Sequence, residues 1–137
     1  MEPLLRLYVP ATLANLGSGF DALGVALDLY LEVEAAPAPE DTFLYEGEGH
    51  VEGTDNLIHE GFRAGMRALG LKPPPLRVQA FNPIPLARGM GSSSAALVAG
   101  VALADRLSGG GLGRDGVFRV AAEMEGHPDN VAPAVYG

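Results

Sequence analysis

A glycine- and serine-rich stretch at residues 85–96, PLARGMGSSSAA, has the composition of a loop that binds an anion. Gly89 and Gly91 let the backbone approach a ligand closely, and the three serines that follow supply hydroxyl donors. The apolar residues 95–104 predict a buried helix, whose first turn carries unpaired N–H groups and the positive end of the helix dipole. A loop of this kind in front of a helix indicates a phosphate site.

Two common phosphate loops do not match this stretch. A Walker A loop needs a lysine before its Ser or Thr, and the only lysine in the chain is Lys72. A dinucleotide-binding fingerprint needs a third glycine where Ser94 stands. The alternative is a tight turn with serine caps before a core helix. The length of the motif, and a helix that shows no polar face, favour the phosphate interpretation.

A second stretch, residues 123–133 with the sequence EMEGHPDNVAP, carries carboxylates close to a helix end. Pro128 disfavours helix before it, so Glu125 lies in the last helical turn. There the negative end of the dipole opposes a carboxylate by roughly 0.3–1 kcal/mol, and a facing cation such as Mg²⁺ would stabilise it. The alternatives are a solvated acid at Glu125, a helix cap at Asp129 and a packed ring at His127.

These motifs resemble the GHMP kinase family, which is named for galactokinase, homoserine kinase, mevalonate kinase and phosphomevalonate kinase. The stretch 85–96 is similar to the glycine- and serine-rich loop of the family, with Met90 where leucine is usual. The stretch 123–133 and the loop 10–24, PATLANLGSGFDALG, resemble the branch that phosphorylates homoserine. The resemblance implies an α+β fold like that of a ribosomal-protein module, with a mixed or antiparallel sheet and helices packed on one face.

The resemblance also implies the ligands, ATP and Mg²⁺, with L-homoserine as the small-molecule acceptor. The residues that it assigns to the nucleotide are Pro85, Leu86, Ala87, Arg88, Gly89, Met90, Gly91, Ser92, Ser93, Ser94, Ala95 and Asn56. Those assigned to Mg²⁺ are Ser93 and Glu125, and those assigned to the acceptor are Asn15, Asp21, His127 and Asp129.

Asp21 suits the acceptor site because its carboxylate can pair with the ammonium group of an amino acid. Taken alone, Asn15 and Asp21 are common turn residues that bond their own backbone.

The catalytic residues that the resemblance implies are Asn130, Asp129 and Arg88. Several relatives have an aspartate base where Asn130 stands, and an amide cannot accept a proton from the acceptor hydroxyl at neutral pH. We therefore expect catalysis to depend mainly on positioning and charge neutralisation, with a phosphate oxygen available to take the proton.

The elements that must position these residues follow from periodicity and from helix-capping and turn residues. Strands are expected at 4–9, where Pro10 ends the strand, and at 76–82, and the region 21–35 is expected to form one or two strands. A hairpin is expected over 46–53 and a strand-like piece at 134–137. Helices are expected at 56–69 with Asn56 as the cap, at 93–107 and at 114–125. His50 and His59 lie far from every motif, so we expect structural roles for them.

The composition bounds the class of protein. The chain has 137 residues, of which 47% are hydrophobic and 19% charged, as in a folded single domain. Its net charge of -8 argues against nucleic acid, and the 95–104 run is too short to span a membrane. The absence of cysteine and of a signal pattern fits a cytoplasmic protein.

We expect residues 1–137 to form the ATP-binding N-terminal domain alone, without the second domain that members of the family have. The oligomeric state stays open, a homodimer included. Two other functions compete with homoserine phosphorylation. One is a GHMP kinase for a sugar or an isoprenoid alcohol, and the other is a non-catalytic binding domain, since fold alone does not fix function.

Overall fold

The computed structural model describes residues 5–14, 24–47, 56–83, 92–125 and 131–136. These residues form four strands and four helices. In chain order the elements are β1 Leu5–Ala14, β2 Gly24–Pro37, β3 Thr42–Gly47, α1 Leu57–Ala68, β4 Leu76–Asn82, α2 Ser92–Leu107, α3 Gly113–Glu125 and α4 Val131–Tyr136.

The strands form one mixed sheet in the order β1-β2-β4-β3. β2 runs antiparallel to both β1 and β4, whereas β3 pairs with β4 in parallel and reaches it through α1. The helices α2 and α4 lie against β1 and β2, and α1 and α3 pack on α2. The predicted class, α+β with a mixed sheet and helices on one face, is confirmed.

The two faces of the sheet differ as the period of two in a strand requires. Leu7, Leu31, Val33 and Val78 point to the helices and are buried. The opposite, outer face carries a row of side chains that are direct neighbours across the strands. In strand order the members of this row are Tyr8, Glu32, Phe81 and Glu46. Its two aromatic rings are exposed, Tyr8 at 56% and Phe81 at 45%.

The helix α2 is the centre of the core. Most of its side chains are buried because the sheet covers one side and the other three helices cover the rest. Glycines let α1 and α2 approach each other closely. A methyl group on Gly61 would lie 2.5 Å from the carbonyl oxygen of Leu97, and one on Gly100 would overlap the carbonyl oxygen of Ile58.

A buried imidazole joins α1 to the start of β4. His59 is 1% exposed, and its Nδ1 lies 2.9 Å from Nδ2 of Asn56, which is a donor only. The proton of the neutral ring is therefore on Nε2, which donates to the carbonyl oxygen of Leu76 at 3.3 Å. Burial lowers the pKa of His59, so the ring is held neutral. The structural role expected for His59 is consistent with these contacts.

Four helix and strand predictions match the structure to within about one residue: α1, β4, α2 and α3. The prediction that Pro10 ends the first strand is wrong, since β1 continues to Ala14. The pairing register shifts between Pro10 and Thr12, and such an irregularity accommodates a residue without an N–H in a strand at the edge of the sheet.

One further prediction needs correction, one open alternative is decided, and one prediction is left open. Residues 46 and 47 end strand β3, which pairs in parallel with β4. The rest of the predicted hairpin, residues 48–53, lies outside the described part, so the hairpin stays a prediction. The strand-like piece at 134–136 is helical, as part of α4. Pro133 is compatible with this helix because it stands in the first turn, where no N–H has a partner within the helix. The region predicted as one or two strands is the single strand β2 over its described part.

Among the described helices, none combines the length and apolar character that a membrane crossing requires.

Substitution of Gly100 by alanine tests the close packing of α1 on α2. The added methyl group would meet the backbone of Ile58 and lie 2.7 Å from the nitrogen of Phe62, so we expect the free energy of unfolding to fall by about 1–3 kcal/mol. Gly111→Ala is the matched control, because a methyl group there meets only the flexible end of Leu69. Equal stability of the two variants in urea unfolding would contradict the packing described here.

The buried His59 predicts a loss of stability in mild acid. Its folded pKa lies below the usual value of 6.5, so the unfolded chain takes up the proton first. The contribution is fully present above about pH 6.5 and is lost as the pH falls from there towards the folded pKa. Between pH 7.5 and 5.5, the unfolding free energy should fall more steeply in the parent chain than in His59→Gln. Equal slopes in urea titrations would rule this out.

Candidate functional site

The candidate site is centred on the first turn of α2. Of the residues assigned to the nucleotide, 85–91 lie outside the described part, and the backbone of Ser92 and Ser93 begins the helix. Ser94 and Ala95 are fully described and are 1% and 0% exposed. The sequence therefore predicts the start of the helix correctly, and the helix turns its third residue inward.

A hydrogen bond links this turn to the end of α3. The hydroxyl of Ser94 donates to Oε1 of Glu125 at 3.2 Å, although 31 residues separate the two in the chain. Ser94 belongs to the phosphate-loop motif, and Glu125 is the carboxylate assigned to the metal. The structure thus brings the first two motifs together at one point.

The contact changes the electrostatic argument for Glu125. As the last residue of α3, this carboxylate is opposed by the dipole of its own helix, which by itself favours a facing cation. The first turn of α2, whose dipole end is positive, lies against it and supplies a hydroxyl donor. Glu125 is therefore stabilised within the protein, and the alternative of a purely solvated surface acid does not fit a half-buried, hydrogen-bonded side chain.

The donor chemistry at this point fits a hard cation. The Glu125 carboxylate, next to the first turn of α2, offers oxygen ligands, which Mg²⁺ prefers. In the part of the chain that is described, no three His, Asp or Glu side chains are grouped to hold a metal ion. A site of this kind suits an ion that completes its shell with phosphate oxygens and water, as Mg²⁺ does with nucleotides. Glu125 is the described residue that would hold it, and the assignment of Ser93 and Glu125 to Mg²⁺ stays a prediction.

Asn56 is in place as the cap of α1. Its Oδ1 accepts from the backbone N–H of His59 at 2.9 Å, and the residue is 7% exposed. The predicted capping role is confirmed. The assignment of Asn56 to the nucleotide stays a prediction, and its described contacts belong to the core.

The remaining assigned residues lie outside the described part of the chain, so their roles stay predictions. They are Asn15, Asp21, Arg88, His127, Asp129 and Asn130.

Sequence reasoning missed the partner of Glu125. Three consecutive serines look alike in a sequence, and only the packing of α2 determines which of them faces the core. Ser94 lies on the same helical face as the buried Val98 and Val101, at spacings of four and three. Because residues 95–104 are apolar on every side of the helix, the same spacings from Ser92 and Ser93 also meet apolar residues, so the sequence carries no signal that singles out Ser94.

Comparison with known proteins identifies the family of this chain. The model of the GHMP kinases N terminal domain matches residues 56–137, which is more than half of the chain. The chain belongs to the GHMP kinase family. Within it, the chain is similar to homoserine kinases of two strains of Thermus thermophilus, at 92% and 91% identity over 134 residues. Each alignment covers 98% of this chain and 46% of the relative. The chain thus spans about half the length of these GHMP kinases.

Solved structures agree with this placement. A structure assigned as homoserine kinase from Listeria monocytogenes matches with a TM-score of 0.81 and 44% identity, covering 96% of this chain and 47% of that one. Mevalonate kinase from Methanococcus jannaschii matches with a TM-score of 0.73 at 13% identity, covering 99% and 51%. The second likeness shows that the fold is shared across GHMP kinases with different acceptors.

The hydrogen bond between Ser94 and Glu125 predicts a difference between two substitutions. Glu125→Ala removes the acceptor of a buried hydroxyl, which should cost about 1–3 kcal/mol of unfolding free energy. Glu125→Gln keeps an oxygen at the same place and should cost less than about 1 kcal/mol. Urea unfolding of both variants checks this. Equal losses would mean that the hydrogen bond does not contribute to stability.

Proposed function

We propose that this chain is the ATP- and Mg²⁺-binding part of a cytoplasmic kinase. The kinase transfers a phosphoryl group to the hydroxyl of L-homoserine and forms O-phospho-L-homoserine, a reaction of threonine biosynthesis. In this proposal residues 1–137 are one N-terminal domain, which supplies the nucleotide site and part of the acceptor site. The second half, which the relatives possess, completes the acceptor pocket.

The observation that carries the proposal is the contact between Ser94 and Glu125. It joins the start of the helix behind the phosphate loop to the carboxylate assigned to the metal. Phosphate at the N-terminus of α2 would be stabilised by N–H groups and by the dipole of a helix that the core holds in place. A carboxylate within hydrogen-bond distance of that turn supports a shared site for phosphate and a divalent cation.

The residues of the chain would then have separate roles in binding and catalysis. The loop 85–91 and the first turn of α2 would bind the triphosphate and orient its terminal group. When bound, Mg²⁺ would neutralise charge on the phosphate oxygens. Asp21 would pair with the ammonium group of the acceptor, and Asn130 would orient the hydroxyl without taking its proton.

The acceptor assignment is supported by the relatives. Proteins named homoserine kinase are up to 92% identical to this chain over nearly its whole length, whereas the mevalonate kinase of Methanococcus jannaschii is 13% identical. Pockets that differ in one polar partner can discriminate strongly between acceptors. The similarity therefore favours an amino acid over an isoprenoid alcohol or a sugar.

An acceptor panel tests the proposal. The chain is joined to the second half of the Thermus thermophilus homoserine kinase to give a completed protein, which is assayed with MgATP and homoserine, mevalonate or galactose. We expect transfer to homoserine at least about a hundredfold faster than to the others. The 137-residue chain alone should show little or no turnover, because half of the pocket is missing.

Two glutamate substitutions in α3 test whether the transfer depends on the carboxylate assigned to the metal. Glu125→Gln should lower kcat/KM by about two orders of magnitude, as expected for loss of a metal ligand. Glu123→Gln, two residues earlier on the exposed side of α3, should change it less than twofold. Transfer to none of the three acceptors, with the completed protein folded, would refute the kinase proposal. Preference for mevalonate or galactose would refute the homoserine assignment alone.

A further inference from the structure

We infer that Ser94 is a positioning residue whose hydroxyl holds the Glu125 carboxylate in place for the cation that accompanies the nucleotide. The inference rests on the proposed function and adds a residue to it. It gives the consecutive serines at the start of α2 different roles. Ser93 remains the hydroxyl assigned to the metal. Ser94 would act through the carboxylate, a role that replaces the contact with the nucleotide that the family resemblance implies for it.

The burial of Ser94 is the first argument. At 1% exposure its side chain is enclosed by protein, whereas a residue that contacts a bound triphosphate must face the opening of the site. A serine hydroxyl has a single proton, and here that proton is donated to Oε1 of Glu125. A carboxylate has about four lone-pair positions on two oxygens, so acceptance of this hydrogen bond is compatible with binding of a cation.

The second argument is the difference in rigidity between the two residues. Ser94 stands on a helix in which Ala95, Leu97 and Val98 are buried, so its position is set by the core. Glu125 is the last residue of its helix and has a long side chain, and fixing such a side chain costs conformational entropy. A hydroxyl from the rigid helix pre-orders the carboxylate before the cation arrives. Outer partners of metal ligands commonly act in this way.

The geometry also excludes a simple capping role for Ser94. An N-cap serine precedes the helix and accepts from a backbone N–H, but Ser94 is the third residue of α2 and donates to another helix. Because alanine has the higher helix propensity, helix formation alone would favour alanine at this position. The hydroxyl therefore contributes an interaction that the helix itself does not require.

Calorimetric binding of ADP to the completed protein tests the inference, with and without Mg²⁺. In Ser94→Ala, we expect the Mg²⁺-dependent gain in ADP affinity to fall by about tenfold, at the lower end of the range for outer partners of metal ligands. ADP affinity in EDTA should stay within about twofold of the parent. Ser108→Ala is the matched control, since Ser108 donates its hydroxyl to the backbone at the opposite end of α2.

The double variant Ser94→Ala/Glu125→Gln shows whether Ser94 acts through the carboxylate. If it does, the double variant should bind ADP in Mg²⁺ within about twofold of Glu125→Gln alone. An additional tenfold loss in the double variant would overturn the inference, and so would Ser94→Ala binding equal to the parent while Glu125→Gln is weakened.

The two proposals can fail separately. If Mg²⁺ does not strengthen ADP binding in the parent, or if Glu125→Gln leaves that gain intact, the metal assignment of the proposed function is wrong, and the role of Ser94 falls with it. Thermal unfolding of each variant accompanies the titrations, so a loss of affinity is interpreted only where the variant is folded at the temperature of measurement.

Discussion

The burial of α2 is the constraint on which the rest of the structure depends. This helix has the sheet on one side and α1, α3 and α4 around the others, so a shift along its axis would disturb every layer of the core at once. Close-packed interiors resist such shifts because side chains interdigitate with few voids. Gly61 and Gly100 tighten the arrangement further, since they bring the backbones of α1 and α2 together where any side chain would collide. The start of α2 is therefore held by the whole domain.

Two helix ends of opposite polarity meet at this fixed point. α3 brings a carboxylate at its negative end to the positive first turn of α2, and Ser94 closes the contact. The positive end of α2 offsets the unfavourable effect of the α3 dipole on the carboxylate, and the carboxylate offsets the positive partial charge at the start of α2. For a protein that handles phosphate, such an arrangement provides a preorganised electrostatic environment, in which dipoles need not reorient when charge arrives. The same packing that stabilises the fold thus sets the geometry of the proposed site.

Much of this architecture could be predicted from the sequence, and particular residues show why the rest could not. Helices α1, α2 and α3 and strand β4 follow from local signals: the Asn56 cap, the unbroken apolar run and the alternation along β4. The continuation of β1 beyond Pro10 depends on a partner strand that absorbs the irregularity, which no local pattern reveals. The helix at 134–136 could not be predicted because a short apolar run is compatible with either a helix or a strand. The contact between Ser94 and Glu125 depends on tertiary packing, and neither motif alone indicates it.

The outer face of the sheet has a consequence for how the domain behaves at high concentration. In the row that crosses the strands, the exposed rings of Tyr8 and Phe81 alternate with the carboxylates of Glu32 and Glu46. Exposed aromatic surface favours association between molecules, whereas like charges placed between the rings repel a second face of the same kind. This protection is electrostatic, in a chain with a net charge of -8 at pH 7, and added salt screens it. Self-association of the domain through its outer face is therefore opposed most strongly at low ionic strength.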